Sequence, residues 1–279
     1  MIIVKPDSWH FPRPDFANRL AEYLLLSSST AYEGPWGAGK TSFLLRDLAP
    51  AAAITREYQP VYLDLHPPVN NATVALTDAL RIAAQELHRP ELFDLSIDPA
   101  REYLIPGGRQ PAIPLKADDN EPDDELFRIR YWADQLVLAS DKPILLIVDE
   151  IQSIGTDVDG DATAAALRAA LIRLYGHLIP VFTASHSVRF AAMFFDYSAP
   201  FFQFGSQSEF PPLGRNYLEH LAERYAAAVK EVKLDIEALS DAFEALDKKP
   251  GTLRAMVESM AASRSTDISA ELKRQLEKI

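Results

Sequence analysis

Eight consecutive residues constrain this chain more than any others. Gly34, Pro35, Trp36, Gly37, Ala38, Gly39, Lys40 and Thr41 fit the pattern G-x-x-x-x-G-K-[ST] at every fixed position. The spacing has a physical origin. A loop that presents successive backbone N–H groups to phosphate oxygens must curl tightly, and glycine permits the dihedrals this requires. A helix opening near Lys40 aims its unpaired N–H groups and positive dipole end at the same anion. Lys40 is placed to reach the outer phosphates, and the Thr41 hydroxyl to ligate a magnesium ion. The chain has only 11 glycines, so three of them within six residues mark this segment as a built loop.

The second informative segment is Ile144-Leu145-Leu146-Ile147-Val148-Asp149-Glu150. A continuous apolar run of this length reads as a strand buried on both faces. It ends in two carboxylates, at the sheet edge where ligands of doubly wound folds bind. Asp149 suits a magnesium shell, usually through water, and Glu150 suits polarisation of the water that attacks the third phosphate. Taken alone, the pair also fits a helix N-cap after a core strand.

Around these segments, strands and helices alternate. Helices are expected at residues 15–26, 41–48, 73–87, 125–139 and 162–175, and strands at 29–33, 61–65, 144–149 and 180–184. The alternation predicts a parallel, doubly wound α/β sheet. From Pro212 onward only helical patterns appear, at 215–229, 235–246 and 252–262, followed by a polar tail. The reading is an α/β core over residues 1–211 and a small helical domain over 212–279. Residues 90–125, rich in proline and then acidic, read as an extended insertion in the core.

GPWGAGKTS and ILLIVDEIQ resemble the Walker A and Walker B motifs of the AAA+ and STAND-like P-loop ATPases. The DEIQ ending is similar to the archaeal-type branch, and GPWGAGKTS to KAP-type NTPases. The resemblance implies an ATP-binding, magnesium-dependent ATPase, with a helical lid after the P-loop core. It implies nucleotide contacts from Gly34, Pro35, Trp36, Gly37, Ala38, Gly39, Lys40, Thr41 and Ser42, metal ligation by Thr41 and Asp149, and catalytic roles for Lys40 and Glu150. ATP rather than GTP rests on the same resemblance, because no Asn-Lys-x-Asp motif is present.

The resemblance also implies a polar sensor at the end of the next strand, Val181 to His186, where Ser185 is the best match and a turn-forming serine is the alternative. Pro250-Gly251-Thr252-Leu253-Arg254 looks like the start of a sensor-2 helix, with Arg254 over the third phosphate or, alternatively, simply solvated. Arg189 is the choice for an arginine offered to a neighbouring subunit, among Arg168, Arg173, Arg189 and Arg215. Against it, the stretch Tyr197 to Gln203 lacks the arginine that STAND-like relatives place there.

Composition narrows the partners. Without cysteine there are no disulfides, thiolate metal sites or thiol nucleophiles. The formal charge of −12 argues against a bulk electrostatic grip on DNA and leaves room for a local patch. The N-terminal residues lack the apolar core of a secretory signal and no run is long enough to span a bilayer, so a cytoplasmic protein without membrane contact is expected. The six histidines are scattered without metal-ligand spacing. Two functions remain open: an oligomeric motor, loader or regulator, on DNA as in transposition regulators, or a STAND-like switch that recruits a partner protein. The short chain after the helical segment leaves little room for a winged helix or a repeat array.

Overall fold

A computed structural model describes residues 7–26, 29–55, 57–65, 71–90, 105–106, 118–156, 158–185, 188–230 and 232–277. Most of the 90–125 segment therefore lies outside the described residues. The chain divides into two compact units, and the division does not follow a single cut. Arg13–Glu33 and Thr41–Glu209 belong to one unit, and residues 7–12, 34–40 and 210–277 to the other.

Among the described residues, six strands form the sheet of the first unit: β1 (Thr30–Gly34), β2 (Gln59–Asp64), β3 (Ile105–Pro106), β4 (Ile144–Asp149), β5 (Leu178–Ser185) and β6 (Ser206–Glu209). Their order across the sheet is β3-β2-β4-β5-β1-β6. The β1/β6, β2/β3, β2/β4 and β4/β5 ladders are parallel. Every residue of β4 is buried, as a strand flanked on both edges and covered on both faces must be.

Helices account for the two covered faces. Val61, Leu63, Leu146 and Val148 share one core with α4 (Ala72–His88), α5 (Glu125–Leu138), α6 (Gly160–Arg173) and α7 (Val188–Phe194). The alternate residues Tyr62, Leu145 and Ile147 are equally buried and point to the other face. There α1 (Pro14–Leu26) packs on α3 (Ala49–Thr55), which contacts β2. This is the doubly wound α/β architecture that the strand–helix alternation implies. Phe194, Phe201 and Phe204 are buried around Phe182 in the core shared with α4 to α7, while the neighbouring Phe195 is exposed.

Several elements differ from the sequence expectation. The helix expected to stop at Leu48 runs on as α2 (Lys40–Phe43), a π-helical turn (Leu44–Leu48) and α3. Pro50 lies inside it. The wider turn, in which the Ala49 N–H bonds to Leu44 O, loosens the helix one residue before the proline, whose ring and missing N–H would break a regular α-helix. A 3₁₀ turn (Ile151–Thr156), α7 and β6 had no clear periodicity. β6 reads Ser-Gln-Ser-Glu and joins the β1 edge through backbone pairing and one hydroxyl contact, Thr30 Oγ1 to Ser206 Oγ at 2.9 Å.

The second unit contains α8 (Arg215–Ala228), α9 (Ile236–Ala245), α10 (Pro250–Ser263) and α11 (Ile268–Leu276). The polar tail, for which no element was assigned from sequence, is largely a helix, capped by Asp267 and anchored by Ile268 and Glu271, both buried. Tyr217, Leu221, Tyr225, Leu239, Leu253, Met256 and Met260 form the core of this unit, and Trp9 and Phe11 pack against it. Tyr217 donates to Pro250 O at 2.7 Å and Tyr225 to Ser265 O at 2.8 Å, so both buried hydroxyls are satisfied.

Candidate functional site

The glycine loop leaves β1 at Gly34 and ends where α2 begins. Gly37 and Gly39 have φ of +83° and +86°, a left-handed conformation that other residues adopt at a cost. A Cβ at Gly34 would lie 3.0 Å from Phe210 Cβ, a tight contact that a side chain there would have to push back. The Ala38 N–H closes a turn on Pro35 O at 3.1 Å. Lys40 is buried, and its ammonium donates to Gly34 O at 2.8 Å and Pro35 O at 3.1 Å. The loop thus folds around its own cation and brings the lysine to the side where its backbone curls. Trp36 stands out from the loop, 69% exposed, and Ser42 is half-buried.

The carboxylates at the end of β4 form a second constellation, within the first unit. Register explains the neighbours of Asp149: Asp64 of β2 pairs with it, and Val148 pairs with Phe182 of β5. Tyr62 on one side and Thr183 on the other are therefore within reach. Asp149 Oδ2 accepts from Thr41 Oγ1 at 2.5 Å and from the Tyr62 hydroxyl at 2.9 Å, while Oδ1 accepts from Thr183 Oγ1. Burial, then the Asp149 carboxylate, pushes the Tyr62 phenol well above its ordinary value, so it stays protonated as a donor.

Glu150 is held by different partners. Its φ is +59°, a conformation that costs a residue with a side chain about 1–3 kcal/mol and that is found at functional sites. Ser185 Oγ donates to Glu150 Oε1 at 2.9 Å, the Ser185 N–H reaches Oε2 at 3.3 Å, and Gln152 Nε2 donates to Oε2. The Ser153 N–H bonds to Glu150 O at 2.9 Å and starts the 3₁₀ turn. Two adjacent carboxylates thereby have separate anchors and separate directions. Ser185, singled out from sequence, meets Glu150. Tyr62, Thr183 and Gln152 were not assigned roles by sequence reading. Thr183 and Gln152 lie inside the quoted motifs, whereas Tyr62 is hidden in an ordinary alternating strand.

The candidate arginines have distinct surroundings. Arg254 on α10 makes a two-pronged pair with Asp7, at 2.6 and 2.9 Å, and its Nε donates to Glu258 at 2.7 Å. Arg189 is exposed on α7. Arg215 pairs with Glu219 and Glu237, Arg173 pairs with Asp134, and Arg168 lies over the Phe204 ring at 5.8 Å. Among the described residues no group of three or more histidine or acidic side chains is placed to hold a metal ion by itself. No helix among them is long and apolar enough to cross a membrane.

Neither protein-family models nor curated proteins give a match to the sequence. Solved structures do. The ORC2 protein of Aeropyrum pernix in its ADP form superposes with a TM-score of 0.57 at 16% identity, over 97% of this chain and 71% of that one. The ORC1 protein of the same organism, in complex with DNA, gives 0.55 at 17% identity, over 98% of this chain and 66% of that one. A chain of the HORMA:CdnC:Trip13 complex of E. coli MS115-1 gives 0.50 at 9% identity, over 94% and 87%. The protein has the fold of the AAA+ P-loop ATPases. It spans about two thirds of the length of the Aeropyrum proteins.

Proposed function

We propose that this protein binds ATP and hydrolyses it to ADP and phosphate, and that the cycle drives an oligomeric motor, loader or regulator. The observation that carries the reading is the clamped carboxylate pair. Asp149 is tied to Thr41, and Glu150 is held apart from it by Ser185 and Gln152. In this account Lys40 exchanges its loop carbonyls for the outer phosphates of ATP. Glu150 accepts hydrogen-bond donation from the attacking water and orients it. Ser185 and Gln152 keep Glu150 aimed.

Thr41 and Asp149, hydrogen-bonded to each other at 2.5 Å, offer hard oxygen atoms that fit magnesium and do not fit a softer ion, Thr41 as a direct ligand and Asp149 through the ion's water. Magnesium, when bound, neutralises charge on the phosphate oxygens. Arg254 is the candidate group for the third phosphate, reached by releasing Asp7. Arg189, exposed, is the candidate for a neighbouring subunit. DNA is a candidate partner because a fold neighbour, ORC1, was solved with DNA. The charge of −12 restricts such contact to a local patch.

The test separates binding from chemistry. Glu150→Gln keeps the shape of the side chain and removes its charge. It should bind ATP with wild-type affinity and turn over roughly 10²-fold more slowly. Undiminished hydrolysis would remove Glu150 from the reaction.

A further inference from the structure

Asp149 is a meeting point of hydroxyls, and two of its donors lie outside the phosphate loop. Tyr62 reaches Oδ2 at 2.9 Å from β2, and Thr183 reaches Oδ1 from β5. Both residues are fully buried, at 0% exposure, so each hydroxyl bonds the carboxylate where water does not compete. A carboxylate oxygen has about two acceptor positions. Thr41 and Tyr62 fill both on Oδ2, and Thr183 takes one on Oδ1. Of the three donors, Thr41 alone is exposed. When its hydroxyl turns to a metal ion, the two buried donors remain and keep the carboxylate plane fixed from opposite edges.

We propose that Tyr62 and Thr183 are positioning residues that set the affinity and the ion preference of the Asp149–Thr41 site, by holding Asp149 as a partner that reaches a divalent cation through the cation's own water. The proposal rests on the ATPase reading above. Its chemistry follows from the ions. Magnesium loses water reluctantly and accepts a carboxylate at second hand, whereas calcium takes carboxylate oxygens directly and in flexible geometry. A carboxylate whose two oxygens already serve buried hydroxyls is less available for direct ligation. Freeing it should weaken magnesium and spare calcium. Partners of this kind typically govern metal affinity by 10–100-fold.

The experiment measures binding of a fluorescent, non-hydrolysable ATP analogue in EDTA, in a magnesium titration and in a calcium titration. Wild type is compared with Tyr62→Phe, Thr183→Val and Thr183→Ser, and each variant's melting temperature is recorded. The expected result is a magnesium requirement raised about tenfold or more in Tyr62→Phe and Thr183→Val. Calcium dependence should shift less, affinity in EDTA should not change, and Thr183→Ser, which keeps its hydroxyl, should match wild type. An unchanged magnesium requirement in both altered proteins overturns the proposal. So does a loss of affinity that is equal in all three conditions and follows the fall in melting temperature, because that is a purely structural role. Wild-type protein that binds no analogue under any condition overturns the ATPase reading, and this proposal with it.

Discussion

Glu150 and Gly37 occupy the same left-handed backbone region for different reasons. Glu150, at φ +59°, has a side chain that must be restrained there, and three hydrogen bonds from Ser185 and Gln152 restrain it. Gly37, at φ +83°, is free of that need because it has no Cβ. An added Cβ at Gly37 would meet only Lys249 side-chain carbons at 3.8 Å, an ordinary contact. The cost of Gly37→Ala is therefore one of backbone conformation. Urea unfolding should show a loss of about 1–2 kcal/mol, with the loop left less able to curl around phosphate. A variant as stable as wild type would mean that the loop relaxes to a different path. At this scale the sequence was legible wherever chemistry repeats: the glycines, Lys40, Thr41 and the Asp149–Glu150 pair stand in a fixed pattern. Tyr62 was not, because a tyrosine in Val-Tyr-Leu-Asp-Leu reads as one more core residue until register sets it opposite Ile147, from where its hydroxyl reaches Asp149.

Elements with a long, regular apolar period were the readable ones. β4 and α5 begin where their patterns begin, and α5 is capped by Asp124, which accepts from the N–H groups of Leu126 and Phe127. Elements whose stability comes from elsewhere were not readable. β6 owes its existence to the β1 edge, α11 to the buried Ile268 and Glu271, and the π turn to the proline that follows it. Helix α8 provides a further test. His220 lies on it against the edge of Phe11, at 5.4 Å between rings. Burial, and then Arg224, lowers its pKa below the ordinary 6.5, against smaller opposing effects of Glu223 and the backbone of Trp9 and His10. A histidine kept neutral in the folded state contributes its full stability above the unfolded pKa. That stability falls as pH drops below about 6.5 and the unfolded chain takes up the proton more readily. Denaturant midpoints between pH 8 and 5 should therefore fall more steeply for wild type than for His220→Gln. Parallel slopes would mean that His220 titrates normally.

The whole molecule combines an α/β unit that carries the clamped carboxylates with a helical unit that carries the glycine loop, Lys40 and the Asp7–Arg254 pair. That division joins segments far apart in sequence, residues 7–12, 34–40 and 210–277, into one unit. The fold class followed from strand–helix alternation, whereas these groupings depend on contacts far apart in sequence, such as the 247 positions between Asp7 and Arg254. The central claim is that the glycine loop and Lys40 bind the phosphates of ATP. Calorimetric titration of ATP with magnesium into wild type and Lys40→Ala tests it most directly. Wild type should bind saturably, and Lys40→Ala should lose tight binding while still folded at the titration temperature, its melting temperature lowered by the loss of the bonds from Lys40 to Gly34 O and Pro35 O. Equal ATP affinity in the two proteins, or none in either, would contradict it.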